Sequence, residues 1–219
     1  MKDRVRGRFI LAVLFFVLFV LFTLIVIRVD VQPIGPMGSS VGLAAINEAV
    51  FLFLGVHPFL FRLADWLGYG AILIGLCFAA VGLVQLVQRK NLWKVDHGIL
   101  LMGALFLVTI CFYVLFEKLE VNYRPILLEN GLEASYPSSH TVLAVVITGA
   151  AMRQLPRLLP GKKGLLPLLE LLLLVFMLAV ILARLASGAH WFSDIVGGIL
   201  LSCALVTLYS GLVLHLEKH

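Results

Sequence analysis

Long apolar runs separated by short polar clusters set the layout of this chain. The first, Phe9 to Ile27, spans 19 residues without a charge, the length a helix needs to cross the hydrocarbon of a bilayer. It follows a basic start carrying Lys2, Arg4, Arg6 and Arg8. A secretory signal has a shorter apolar core and a small-residue cleavage site, so this run reads as a retained anchor. Four more runs are long and clear: Leu67 to Val87, Ile99 to Phe116, Leu165 to Ala183 and Trp191 to Leu214. A weaker one runs from Ser138 to Leu155, of which only Thr141 to Met152 is free of strongly polar side chains. Between the first two clear runs lie the breakers Pro33, Gly35, Pro36 and Gly38. They are followed by an apolar core, Ala49 to Phe61, of 13 residues interrupted by Gly55 and Pro58. Runs of that length are interfacial or re-entrant more often than spanning. The pattern predicts an all-α integral membrane protein: one membrane domain over residues 1–219, a bundle of six transmembrane helices. Residues 28–66 form an extracytoplasmic interfacial segment, and Ala49 to Trp66 is an element that could steer a lipid.

Composition supports that layout. Hydrophobic residues make up 62% of the chain and charged residues 13%, against about 25% charged in soluble domains, and the mean hydropathy is +1.08. The net charge of +5 could suggest a nucleic-acid partner, but the basic residues sit in the short segments between apolar runs, where they orient a membrane protein. With the N-terminus inside and six spans, twelve Lys and Arg residues fall inside and five outside. The positive-inside rule then places both termini in the cytoplasm of a multi-pass cell-membrane protein, and the Arg184–Asp194 stretch outside. Cys77, Cys111 and Cys203 lie far apart in apolar runs and read as core residues rather than disulfides. His57 reads as a surface or packing histidine, since no partner motif surrounds it.

Three polar segments then meet at outer span ends, as antiparallel neighbours in a bundle allow. One is Glu117-Lys118-Leu-Glu120-Val-Asn122-Tyr123-Arg124-Pro125, the second Tyr136-Pro137-Ser138-Ser139-His140-Thr141, and the third Arg184-Leu-Ala-Ser-Gly-Ala-His190-Trp-Phe-Ser-Asp194. Guanidinium groups hold phosphate oxygens through paired charged hydrogen bonds. Histidine serves as nucleophile or proton carrier, and an acid four residues further along a helix can orient it. Ionisable groups near membrane depth are functional by default.

These segments resemble the three signature motifs of the type-two phosphatidic acid phosphatase superfamily, which includes bacterial lipid diphosphatases, glucose-6-phosphatase and the vanadium haloperoxidases. The family pattern is a lysine, six residues and Arg-Pro; then Pro-Ser-Gly-His; then Ser-Arg, five residues, His, three residues and Asp. Here Lys118 has five residues before Arg124-Pro125, Ser139 replaces the glycine, and Ala183 replaces the serine. The resemblance implies a metal-independent phosphatase without cofactor, acting on a lipid phosphate substrate in the bilayer: undecaprenyl diphosphate, phosphatidylglycerol phosphate or phosphatidate. It implies His190 as nucleophile through a phosphohistidine, Asp194 as its orienting acid, and His140 as proton donor. Arg124, Arg184 and Lys118, with backbone and hydroxyl donors at Ser138 and Ser139, would hold the phosphate. The wording of the motifs looks bacterial. A lipid phosphotransferase with the same site, or a non-enzymatic lipid transport or binding protein, are the alternatives, and oligomeric state stays open.

Overall fold

The computed structural model describes residues 2–128 and 131–217. Among them it forms seven α-helices: α1 (Lys2–Arg28), α2 (Ala44–Leu54), α3 (Pro58–Arg89), α4 (His97–Leu119), α5 (Ser139–Leu158), α6 (Leu165–Ala186) and α7 (Phe192–Leu216). The only strand pairing among these residues is three isolated bridges. Five helices, α1, α3, α4, α6 and α7, are long and apolar enough to cross a membrane.

The predicted runs fall inside these helices, with one difference. Ala49–Phe61 is not one interrupted segment but the junction of two helices. Gly55, at φ 73°, caps α2, and Pro58 opens α3 at its first turn, where its fixed φ and missing N–H are tolerated. Residues 58–66 therefore belong to the 32-residue α3 and not to a separate interfacial piece.

The weak fourth run has a physical explanation. α5 packs against α3, α4, α6 and α7, and its polar residues Thr141, Thr148 and Gln154 are buried. A helix wrapped in protein does not need a lipid-facing apolar surface. α7 is the other central helix, with α1 laid along it. Where α1 reaches the core, Phe19 stacks on Tyr136 and the hydroxyls of Thr23 and Tyr136 share a 2.8 Å hydrogen bond.

The two ends of the bundle differ. One end is closed by an Arg89–Asp96 ion pair at 2.8 Å, by Arg153 and Arg157 on Glu217, and by Gln154 bonded to Tyr209. The other gathers the start of α3, the end of α4, the starts of α5 and α7, and the end of α6. There the loop from 120 to 138 doubles back on itself, Arg124 N–H donating to the Glu133 carbonyl at 3.0 Å and Ser135 N–H to that of Asn122 at 2.8 Å.

Candidate active site

The folded-back loop brings Arg124 and Ser135 side by side over the 187–191 connector between α6 and α7. That connector turns at Gly188, φ 75°, where any Cβ would stand 3.0 Å from Val56 and 3.1 Å from the Gly55 carbonyl. Only glycine combines that backbone with so close an approach. The turn delivers His190 to the bundle interior, 3% exposed. Its Nδ1 lies 3.1 Å from the Ser135 carbonyl and 3.5 Å from Asp194 Oδ2, while Arg124 Nη1 lies 3.2 Å from Nε2. Arginine only donates, so Nε2 is the acceptor and Nδ1 carries the proton. Burial, then the neighbouring Arg124 and Arg184, push the imidazole well below the ordinary histidine range, which keeps it neutral with its Nε2 lone pair available.

Asp194, fully buried, sits in a closed hydrogen-bond set. Its Oδ2 accepts from Trp191 N–H at 3.0 Å, capping α7, and its Oδ1 from Asn122 Nδ2 at 3.3 Å. Asn122 also contacts Ser193 Oγ, and its Oδ1 accepts from Gly42 N–H. Asn47, completely buried, donates to Ser193 Oγ and the Gly42 carbonyl and accepts from Ser193 N–H. Trp191 is pinned by its Nε1–H on the Tyr123 carbonyl at 2.7 Å and by Phe51 at 5.6 Å.

Across the site, Arg184 is 2% exposed. Its Nη2 lies 2.7 Å from Asp65 Oδ1 and against the His140 ring, 2.8 Å from Nδ1 and 2.6 Å from Nε2. Phe61 lies beneath the guanidinium at 5.3 Å, a cation–π contact. Its Nε and Nη1 are buried without a partner. A buried guanidinium with two unused donors is costly unless an acceptor arrives, and an anion is the natural one.

Of these groups Asp65, Arg124, Ser135, His140 and His190 border a cavity of about 640 Å³. Asp65, Gly68, Tyr69 and Ile72 line it from one face of α3, and Thr109, Phe112, Tyr113, Phe116 and Glu117 from one face of α4, each set at helical spacing. His140, Ser139, Arg124 and His190 close its polar end, and Ile72, Ile110, Leu143 and Leu201 line an apolar stretch leading away.

The structure thus brings together Arg124, His140, Arg184, His190 and Asp194. Of the other predicted phosphate contacts, Lys118 and Ser138 sit off the cavity and Ser139 on it. Lys118 is exposed and does not line the cavity, whereas Glu117 does. One helical residue is a turn of about 100°, and Glu117 holds the position seven before Arg124. Ser138 is fully buried, its N–H donating to the Asp194 carbonyl at 3.0 Å and its Oγ accepting from Thr141. Ser139 lines the cavity at the α5 N-terminus, where backbone donors and the helix dipole favour an anion. Asp65, Ser135, Asn122 and Asn47 escaped the sequence reading. Asp65 had a visible signal: an acid set just ahead of a long apolar run.

The fold is an all-helical bundle that sets His140, His190 and Arg124 on one cavity, with Arg184 held against the His140 ring. Residues 112–216 match the family model of the PAP2 superfamily. The chain is also similar to the crystal structure of a transmembrane PAP2-type phosphatidylglycerolphosphate phosphatase from Bacillus subtilis. The TM-score is 0.62, over 95% of this chain and 96% of that one, at 19% sequence identity, a likeness of fold. No curated protein gives a significant sequence match to the chain.

Proposed function

We propose that the chain is a metal-independent membrane phosphatase that hydrolyses a lipid phosphomonoester or diphosphate through a phosphohistidine on His190. The observation that carries this reading is His190 held with its Nδ1 on the Ser135 carbonyl and its Nε2 facing Arg124, opposite a buried Arg184 whose Nε and Nη1 lack acceptors. A phosphoryl group entering between them takes the donors of both arginines, and Arg124 releases the Nε2 lone pair as it turns to the phosphate. Nε2 then attacks phosphorus, forming the N–P bond as the P–O bond to the leaving group breaks. His140 gives its proton to that leaving oxygen. Asp194 and the Ser135 carbonyl stabilise the positive charge that develops on His190. In the second half His140 takes a proton from water, whose oxygen displaces Nε2 and releases phosphate. The guanidinium groups offset the charge on the equatorial oxygens.

The apolar stretch of the cavity between α3 and α4 favours a lipid over a soluble ester. Phosphatidylglycerol phosphate, phosphatidate and undecaprenyl diphosphate are the substrate candidates, the first also being the substrate in the name of the structural relative. With α5 counted as a sixth, protein-shielded span, the basic-residue bias puts the site at the outer face of the cell membrane. The test is phosphate release from these lipids by purified protein with chelator present, alongside His190→Ala. Wild-type release, abolished by the substitution, is expected, with acid-labile phosphate on the wild-type protein after quenching. Wild-type turnover by His190→Ala would overturn the mechanism, and a phosphorylated acceptor lipid in place of free phosphate would mark a transferase.

A further inference from the structure

The mechanism above leaves one charged group at the site unused. Asp65 lies on α3, outside all three signature segments and 47 residues before the region that matches the family. Its Oδ1 is 2.7 Å from Arg184 Nη2 and 3.5 Å from His140 Nε2. It is the one carboxylate in ion-pair range of either group among the described residues. We propose that Asp65 is a positioning residue for the proton-donor half of the reaction: its carboxylate fixes the Arg184 guanidinium and, from 3.5 Å, favours a proton on His140 Nε2 against the surrounding cations. The proposal rests on the phosphatase reading above.

Two arguments support it. First, Arg184 is buried, and of its three nitrogens only Nη2 is engaged. Asp65 supplies the charge that makes burial tolerable and, by holding Nη2, determines where the two unengaged nitrogens stand. Second, His140 lies among cations. Arg184 from α6 is against its ring, while Arg124 from the 120–138 loop and His190 from the connector stand across the cavity, with Glu117 of α4 at its border. A proton on His140 beside an arginine is disfavoured unless a carboxylate offsets it. Asp65 is the carboxylate in reach, and its side chain is 37% exposed toward the cavity. The site then holds two histidine–carboxylate pairs with opposite tasks: Asp194 keeps a proton on the far nitrogen of a nucleophile, and Asp65 favours the arrival of one on a donor. A local carboxylate partner that biases protonation is a general way to divide acid and base roles.

The discriminating experiment compares two leaving groups in the full-length protein. An alkyl lipid phosphate needs its leaving oxygen protonated; an aryl ester such as p-nitrophenyl phosphate does not. For Asp65→Asn we expect kcat on the alkyl ester to fall roughly ten- to a hundredfold, within the range carried by acid catalysis. On the aryl ester the loss should stay below about threefold, by the same reasoning. The alkaline limb of kcat/KM for the alkyl ester should move to lower pH. Asp65→Glu keeps the charge and should keep the limb near its wild-type position, which covers the case in which the amide variant misfolds. Equal losses on both esters with an unmoved limb, or a wild-type profile, would overturn the proposal and leave Asp65 a structural counter-ion. Failure of the underlying reading looks different: His190→Ala would then turn over both esters like wild type.

Discussion

Gly68 offers a way to displace one catalytic ring without changing its chemistry. It lies one turn beyond Asp65 on α3, and a Cβ built there would stand 2.8 Å from His140 Cδ2 and 3.0 Å from Nε2. Carbon contacts relax at about 3.5–4.0 Å, so in Gly68→Ala the ring must retreat by roughly 0.7 Å or more. It cannot do so freely, because Arg184 Nη2 lies within 2.8 Å of both ring nitrogens. A misplacement on the order of 1 Å can cost about a hundredfold in rate, equal to about 2.7 kcal/mol of barrier. Folding should suffer little, since alanine is favoured over glycine in a helix by about 1 kcal/mol, which offsets the local crowding. Expected is a ten- to hundredfold lower kcat, on the order allowed by that misplacement, with a melting temperature in detergent close to wild type. Phosphate release from the lipid substrate measures the first and thermal unfolding the second. Gly103→Ala on α4, where a Cβ meets nothing within 4 Å, is the control and should leave kcat unchanged while raising the melting temperature through the same helix preference. The reasoning fails if Gly68→Ala turns over like wild type while His140→Ala is inactive.

Two further outcomes follow from the geometry. Lys118→Ala should keep kcat/KM within about twofold of wild type, as an exposed residue off the cavity behaves on substitution. Arg184→Lys should lose tenfold or more, because an ammonium cannot reproduce the guanidinium's fixed donors; equal losses at the two positions would refute the assignment. His190 is neutral in the folded chain, its imidazole held well below the ordinary range by burial and by Arg124 and Arg184, while the unfolded chain protonates it near about 6.5. The folded value lies below the unfolded one, so this contribution to stability is complete above that pH and is lost as pH falls toward the folded value. Each pH unit below about 6.5 should subtract up to about 1.4 kcal/mol in the wild type and not in His190→Asn; parallel pH slopes of thermal unfolding for the two proteins would contradict this.

The helices were largely legible because period and length speak directly about membrane crossing. Phe9 to Ile27 lies within α1 and Trp191 to Leu214 nearly coincides with α7. The junction at Gly55–Pro58 was harder. Hydropathy sees two breakers inside an apolar window, and the same residues end one helix or start the next with equal ease. The motif residues could be read because their spacing is local: Arg184, His190 and Asp194 sit within eleven positions. Asn47 could not, and Asp65 showed only as an acid ahead of an apolar run, since both reach the site through the packing of α3 against α5 and α6 and of α2 against α7. Lys118 lies off the cavity for a third reason. A one-residue change in spacing is trivial in a sequence, yet on a helix it rotates the side chain off the face, and here Glu117 takes the inward place.

The buried Asn47–Ser193–Asn122–Asp194 set joins three stretches of chain that are remote in sequence. Every residue assigned to bond making lies between 124 and 194, yet the aspartate behind the nucleophile is laced to residue 42 and residue 47, and the donor histidine leans on residues 65 and 68. The carboxy-terminal half is therefore not a transplantable catalytic module. Grafted onto another anchor or excised from its own, it would carry the reactive groups without the scaffold that aligns them, and the smallest working unit of this protein begins well before its first signature residue.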